Sequence, residues 1–235
     1  MIVSWFSAGV SSFIAAYLVR DKLDKIIYID IEDQHPDSMR FLQDCSYAIG
    51  KEIEILQSPY KSVSNVVLTV GYINGVHGAT CTNILKKRVR KQWEREHKDI
   101  ELTYVWGFDA AEKHRADRLL ETMPKQNHLF PLIEQNFAKE NAHGLLKKLG
   151  IKRPAMYDMG YSNNNCIGCV KGGMGYWNKI RIDFPDVFAE RARQERVIGA
   201  SCFNGIYLDE LDPARGRMED EIMEECGFIC EWANV

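Results

Sequence analysis

The pair Cys166-Ile167-Gly168-Cys169, followed by Val170-Lys171-Gly172-Gly173, carries the sharpest chemical signal in this 235-residue chain. Two thiolates two residues apart on a glycine-rich turn can bind one metal without strain. The same spacing serves a redox dithiol when it opens a helix after a strand. Here Asn163-Asn164-Asn165 precede and Lys171-Gly172-Gly173 follow, which suits a metal-binding knuckle better. A four-ligand site needs more thiolates, and Cys226 or Cys230, in Glu225-Cys226-Gly227-Phe228-Ile229-Cys230, could supply one. Ligand type alone does not separate zinc from iron–sulfur, because both accept four thiolates. Cys45 lies mid-helix and Cys202 in an apolar context, so both read as small buried core residues.

A second constellation is Ser7-Ala8-Gly9-Val10-Ser11-Ser12. Small residues let a backbone approach a phosphate closely, and free N–H groups at a helix N-terminus carry partial positive charge. A short Ser/Gly turn also simply joins a strand to a helix. A third is the basic run Lys86-Lys87-Arg88-Val89-Arg90-Lys91. Residues three and four apart share a helix face, so Lys87, Arg90 and Lys91 point together, as an anion clamp or as a solvated face. The six histidines show no metal-type spacing, and Trp93, Trp106 and Trp177 read as core aromatics.

The elements that must position these groups follow from apolar periodicity. Ile2 to Phe6, Lys25 to Ile31, Ile53 to Leu56 and Leu102 to Gly107 read as strands. Phe13 to Asp21, Asp37 to Ile49, Lys86 to His97, Ala110 to Met123, Asn141 to Leu149 and Pro185 to Ile198 read as helices, with Phe130 to Ile133 extended. Short β-branched runs alternating with helical patterns indicate βαβ units and a parallel sheet. In such sheets ligands bind beyond the carboxyl ends of the strands, where Ser7 to Ser12 falls. From Pro154 onward loops rich in Asn, Gly and Cys replace the alternation. A boundary near residue 150 divides a core, residues 1–150, from a cysteine-bearing region, residues 151–235, that completes the metal site.

The strand, the S-A-G-V-S-S turn and the helix after it resemble the PP-loop of the adenine nucleotide alpha-hydrolase-like superfamily. Tyr28-Ile29-Asp30-Ile31-Glu32-Asp33-Gln34-His35-Pro36-Asp37-Ser38 resembles the second-strand motif of its phosphoadenosine phosphosulfate (PAPS) reductase-like members. Thr80-Cys81-Thr82-Asn83-Ile84-Leu85-Lys86-Lys87 is similar to their Cys-containing, Lys-rich motif. Gly107-Phe108-Asp109-Ala110-Ala111-Glu112-Lys113-His114-Arg115 resembles their G-x-R-x-x-E-S-x-x-R segment. The resemblance spans most of residues 1–200. It implies a Rossmann-like (HUP-type) α/β fold, a parallel sheet with helices on both faces. Ser7, Ala8, Gly9, Val10, Ser11, Ser12, Asp30 and Arg115 would then hold an adenine nucleotide, ATP or a sulfonucleotide, with Mg2+ as an accompanying ion.

The same resemblance makes Cys81 a third metal ligand beside Cys166, Cys169 and Cys226, with Cys230 as the alternative, and favours a 4Fe-4S cluster over zinc. Lys86 matches the family motif as a catalytic or phosphate-binding cation, and Cys226 as a nucleophile. Two departures stand out: the loop Asp, linked to magnesium and pyrophosphate release, is Ser11, and the Arg of G-x-R is Asp109. The leading expectation is a PAPS reductase-like enzyme performing cysteine-dependent sulfur chemistry. The alternatives are an ATP-dependent sulfurtransferase acting on a nucleobase or other acceptor, and a non-catalytic nucleotide-binding module. Partners would be the nucleotide, a sulfur acceptor (a nucleic acid among the candidates) or an electron donor, and a second copy of the chain. The formal net charge of -3 suggests no bulk attraction to nucleic acid or anionic membrane. No stretch approaches the ~18–20 apolar residues that cross a bilayer, so a cytoplasmic protein with thiols or metal ligands is expected.

Overall fold

The short β-branched and aromatic runs form one sheet. Strands β1 (Ile2–Phe6), β2 (Lys25–Asp30), β3 (Ile53–Gln57), β4 (Thr103–Val105) and β5 (Asn127–Leu129) lie in the order β3-β2-β1-β4-β5. β1 runs parallel to β2 and to β4, and β4 parallel to β5. Val3 to Phe6 are all buried, as expected of a central parallel strand covered on both faces. This computed structural model describes residues 1–73, 79–203 and 205–221.

Ten α-helices accompany the strands: α1 (Val10–Leu18), α2 (Asp37–Ile49), α3 (Val63–Val70), α4 (Arg88–Glu96), α5 (Lys113–Thr122), α6 (Pro131–Glu134), α7 (Lys139–Lys148), α8 (Ala155–Asp158), α9 (Met174–Asp183) and α10 (Pro185–Ile198) among the described residues. The fold is thus α/β, a Rossmann-like sheet flanked by helices, as the sequence pattern predicts. From β1 the chain goes to β2 and β3 on one side, then crosses to β4 and β5 on the other. The order therefore reverses between β1 and β4, where open α/β sheets take their ligands.

The chain divides into two compact units. The first comprises Met1–Ile29, His35–Leu56 and Lys91–Asn164; the second comprises Asp30–Gln34, Gln57–Arg90 and Asn165–Val235. Within the first, α1 is apolar on every side. Val10 to Ala16 are all buried, because α1 contacts β1, α2, α6 and α7. Phe41 of α2 packs against Phe6 and Phe13 with centroids 6.1 and 5.9 Å apart, joining strand and both helices. Within the second, α10 packs on α9 and α3.

Three elements differ from the sequence pattern. Residues expected to be extended from Phe130 to Ile133 split, because β5 stops at Leu129 and Pro131 opens α6. Proline suits a first helical turn, where its fixed φ is preorganised and its missing N–H is not needed. The basic helix starts earlier, with a π-helical turn at Thr82–Lys87 feeding α4. Helices α3 and α9 carry no clear periodic signature; α3 is instead marked by Ser62, whose side chain accepts the Asn65 N–H at 3.1 Å. No helix among the described residues is long and apolar enough to cross a membrane.

Arg40 staples the segment before α8 to α2. It donates to both oxygens of Asp37 at 2.9 and 2.7 Å, to Asp44 at 2.7 Å, and to the carbonyls of Lys152 and Arg153. Asp37 also accepts the Ala155 N–H at 2.9 Å. The Arg40 hydrogen bonds hold the Asp37 carboxyl below the usual aspartate range, outweighing its partial burial. A depressed native pKa contributes stability above the unfolded value, lost as pH falls through the native one. The Arg40 and Asp37 side chains keep 31% and 25% of their surface in water, which screens the pair. Arg40→Ala should cost about 1–2 kcal/mol in denaturant melts at neutral pH. That cost should shrink steadily as pH drops below about 4.

Candidate functional site

The loop after β1 lies in the first unit. Helix α1 begins at Val10, so Ser11 and Ser12 sit in its first turn, and Gly9 is an N-cap without a capping side chain. Ser7 Oγ and Ser12 Oγ lie 2.8 Å apart, and Ser12 Oγ donates to the Gly9 carbonyl at 2.9 Å. Ala8 is fully buried at φ 59, a left-handed conformation that costs an L-residue roughly 1 kcal/mol. Backbone strain of this kind persists only where neighbours over-determine it. Those neighbours are the Tyr157 hydroxyl, which accepts the Val10 N–H at 3.3 Å, and Asn164. Asn164 Nδ2 donates to the Ala8 carbonyl at 2.9 Å and to Ser38 Oγ at 3.0 Å, while its buried Oδ1 has no hydrogen-bond partner.

The end of β4 closes on the same loop. A Cβ on Gly107 would stand 2.5 Å from Ser12 Cα and 2.6 Å from Ser12 N, so only glycine permits this backbone approach. Asp109, which replaces the arginine of the family segment, has a local task. Its Oδ1 accepts the Ala111 and Glu112 N–H groups at 2.9 and 3.2 Å, and Glu112 Oε2 accepts the Asp109 N–H, completing a capping box. Arg115 is 6% exposed, paired with Glu112 and stacked 4.7 Å over the Phe108 ring. Arg115 and Glu112 are three residues apart, a spacing that puts both on one helix face.

The cysteine turn belongs to the second unit. Cys166 and Cys169 are each 6% exposed, with Gly168 at φ +69 between them. Tyr176 of α9 braces both: its hydroxyl accepts the Cys169 N–H at 2.9 Å and donates to the Cys166 carbonyl at 3.2 Å. The Ile167 N–H donates to the Asp33 carbonyl at 2.7 Å. The Asp33 carboxylate accepts the Val63 N–H at the start of α3 at 2.6 Å and faces Arg191 of α10 at 3.8 Å. Burial pushes the Asp33 carboxyl up, against the lowering effects of the Val63 N–H and Arg191.

Cys202 is half-buried against α10. Its N–H donates to Glu195 Oε1 at 2.5 Å, and its thiol lies within electrostatic reach of Cys169 and Arg191. Burial first, then Glu195, pushes that thiol well above the ordinary range. Cys45 is fully buried in α2 and likewise raised, as expected of a packed thiol. Cys81 is partly exposed at the head of the π-helical turn. Lys86, Lys87 and Arg90 are 6%, 4% and 2% exposed, whereas Lys91 is exposed. The π-helical turn changes which side chains face inward, so the basic run is not a solvated face. Buried cations demand acceptors or counter-charge, which sets these three apart from ordinary surface lysines. Asp30 ends β2 and accepts the Gln57 Nε2–H at 2.9 Å. Cys226 and Cys230 lie outside the described residues.

Thus Ser7 to Ser12, Gly107 and Arg115 belong to one unit, and Asp30, Cys81, Lys86, Cys166 and Cys169 to the other. Two thiols on a braced turn suit half of a four-thiolate metal site. No group of three or more His, Cys, Asp or Glu side chains among the described residues converges as metal ligands. Sequence reasoning missed Tyr157, Asn164, Asp33 as a carboxylate hub, and Tyr176. The asparagine triplet at 163–165 and the aromatic seven residues past Cys169 were the available signals. Compared with known proteins, the chain matches no family model and no curated sequence.

Gly107→Ala should cost about 1–3 kcal/mol in a urea melt, since the clash is with backbone that cannot rotate away. Amide chemical shifts of residues 7–12 should move with it; shifts confined to β4 would contradict the close approach. Asp33 makes a pH prediction of opposite sign to Asp37. A raised native pKa stabilises most below the unfolded value near 4, and that contribution fades as pH climbs through the native value. Wild type should therefore lose stability relative to Asp33→Asn as pH rises from about 4, measured by paired melts.

Proposed function

We propose that this chain is a PAPS reductase-like enzyme that binds an adenine nucleotide at Ser7–Ser12 and performs cysteine-dependent sulfur chemistry. The observation that carries the reading is the loop at the β1/β4 reversal. An uncapped helix N-terminus follows a strained Ala8, and Gly107, Tyr157 and Asn164 hold the backbone from three sides. A helix N-terminus so prepared favours a phosphate, because its N–H groups and dipole both address negative charge. Ser7, Gly9, Ser11 and Ser12 hold the phosphate in this reading, and Asp30 lies near the nucleoside.

No carboxylate stands at Ser11 to hold magnesium, which favours a reaction that leaves a pyrophosphate bond uncut. In the sulfonucleotide reaction, a cysteine thiolate takes the sulfur from the nucleotide and the adenine nucleotide leaves. A second thiol then releases sulfite, the two thiols ending as a disulfide that an external reductant must reopen. Cys226 is the proposed nucleophile in the case where Cys230, and not Cys226, completes the metal site. Lys86 and Arg115 are the proposed anion-binding cations. The proposed metal ligands are Cys81, Cys166, Cys169 and Cys226, with Cys230 as the alternative to Cys226. A 4Fe-4S cluster on such thiolates would supply redox-active iron.

Three measurements test this reading. Gly9→Trp should weaken binding of adenylyl sulfate and ATP at least about ten-fold by calorimetry, with metal content unchanged; retained affinity sinks the loop assignment. Anaerobically purified protein should hold iron and acid-labile sulfide, lost in Cys81→Ala, Cys166→Ala and Cys169→Ala. Metal-free protein or zinc alone removes the iron–sulfur claim. Product analysis separates the alternatives: AMP and sulfite mark reduction, acceptor-dependent pyrophosphate release marks ATP-driven sulfur transfer, and tight binding without turnover marks a non-catalytic module.

A further inference from the structure

Residues 208–221 form a strap along helix α9. Its start is anchored: Leu208 and Leu211 are buried, and their carbonyls accept from Arg181 at 3.3 and 2.7 Å. Beyond Leu211 the chain is exposed from Asp212 to Arg217. Asn178 donates to the carbonyls of Asp212 at 2.9 Å and Arg215 at 2.8 Å. Gly216, at φ +79, runs so close to the helix that a Cβ on it would stand 2.5 Å from the Gly175 N. The Glu221 carboxylate then takes the N–H groups of Gly173 at 2.9 Å, Gly175 at 2.8 Å and Tyr176 at 3.3 Å. These amides open a helix, where no carbonyl of the helix itself can serve them. A buried anchor, an exposed arm and a polar clasp are thus set in series along one helix.

What the clasp holds bears on the cysteine turn. Tyr176 lies in the turn of α9 that Glu221 caps, and its hydroxyl bridges the Cys169 N–H and the Cys166 carbonyl. The Gly172 N–H donates to the Cys169 carbonyl at 3.0 Å, and a Cβ on Gly172 would collide with the Tyr176 ring. The chain leaving Cys169 is therefore pressed against that ring. Displacing the first turn of α9 displaces the brace of both thiols, which are otherwise buried. An exposed segment tied down by a few hydrogen bonds opens at lower free-energy cost than the packed helix beneath it. We propose that the strap is a latch: with Glu221 seated the Cys166–Cys169 turn is closed, and release of Glu221 opens both thiols to a thiophilic ligand, a metal ion or an electrophile. The latch acts on the two thiols whatever they hold, and so goes beyond the proposed activity without resting on it.

The test is thiol alkylation in the full chain, reduced and stripped of metal by a chelator. The rates at which Cys166, Cys169 and Cys45 react with iodoacetamide are read residue by residue by mass spectrometry. Where opening and closing are fast, each rate tracks the population of the open form. In wild type Cys166 and Cys169 should react far more slowly than cysteine in a short peptide. Glu221→Ala should speed both at least about ten-fold, the change expected when the hydrogen bonds of the closed state are lost. Cys45, buried in the first unit, should keep its rate. Glu221→Gln, which keeps an acceptor oxygen and loses the charge, should fall between. Gly216→Ala, which pushes the arm off α9 without touching the clasp, should also speed both thiols. Glu219→Ala, at an exposed neighbour, should change neither. Unchanged rates in Glu221→Ala overturn the latch whatever Gly216→Ala does. A rise that Cys45 shares in both variants marks loss of the fold and overturns it too, as do wild-type thiols that react as fast as the peptide. Metal content is no part of this readout, so the latch and the thiolate centre stand or fall separately.

Discussion

The Asp33 carboxylate, largely shielded from water, ties distant segments of the second unit together. Asp33 follows β2, and its side chain starts α3 through the Val63 N–H and meets Arg191 of α10, while its carbonyl takes the Ile167 N–H inside the cysteine turn. Four segments far apart in sequence therefore share one residue. Burying it is costly, which is why its carboxyl is pushed up. The cost is tolerated because its hydrogen bonds and ion pair fix the start of a helix and the floor of a thiol pair at once. The cysteine turn is rigid through Asp33 beneath it and Tyr176 beside it, and is not held by its own short loop alone.

The first unit solves a different problem by different means. Its loop has no charged hub. Hydroxyls bond to one another, a left-handed alanine turns the chain, and a glycine on the neighbouring strand admits the backbone. What it offers a ligand is the N-terminal end of a helix, a site of partial charges. In the proposed reading the two units divide the chemical labour: anion recognition by backbone dipoles in one, soft thiolates in the other.

The strands and the first loop were legible because β-branched runs and small-residue turns are local signals, and β1, β2 and α2 fall where periodicity puts them. The cysteine pair was legible as chemistry for the same reason. The supports were not. Asn164 reaches Ala8 across 156 positions and Tyr157 reaches Val10 across 147. No periodicity encodes such pairings. The burial of Lys86, Lys87 and Arg90 was not legible either, because the spacing of the basic run fits an anion clamp and a solvated face equally. Asp109 read as a loss of an arginine, yet its gain, a capping box, is written locally as Asp-x-x-Glu and was available to be seen.

The interleaving of the units has a bearing on how the chain comes off the ribosome. The first unit has all its segments once Asn164 is made, but residues 30–34 and 57–90 must wait for partners beginning at Asn165. At about 5–20 residues per second, the stretch from Asn165 to Glu221 takes several seconds to synthesise. Throughout that interval Cys81 and its lysines belong to an unfinished body, translated but without the α9 and α10 scaffold. On the proposed reading, a centre drawing on Cys81, Cys166 and Cys169 can close around metal only after every strand of the sheet has been made.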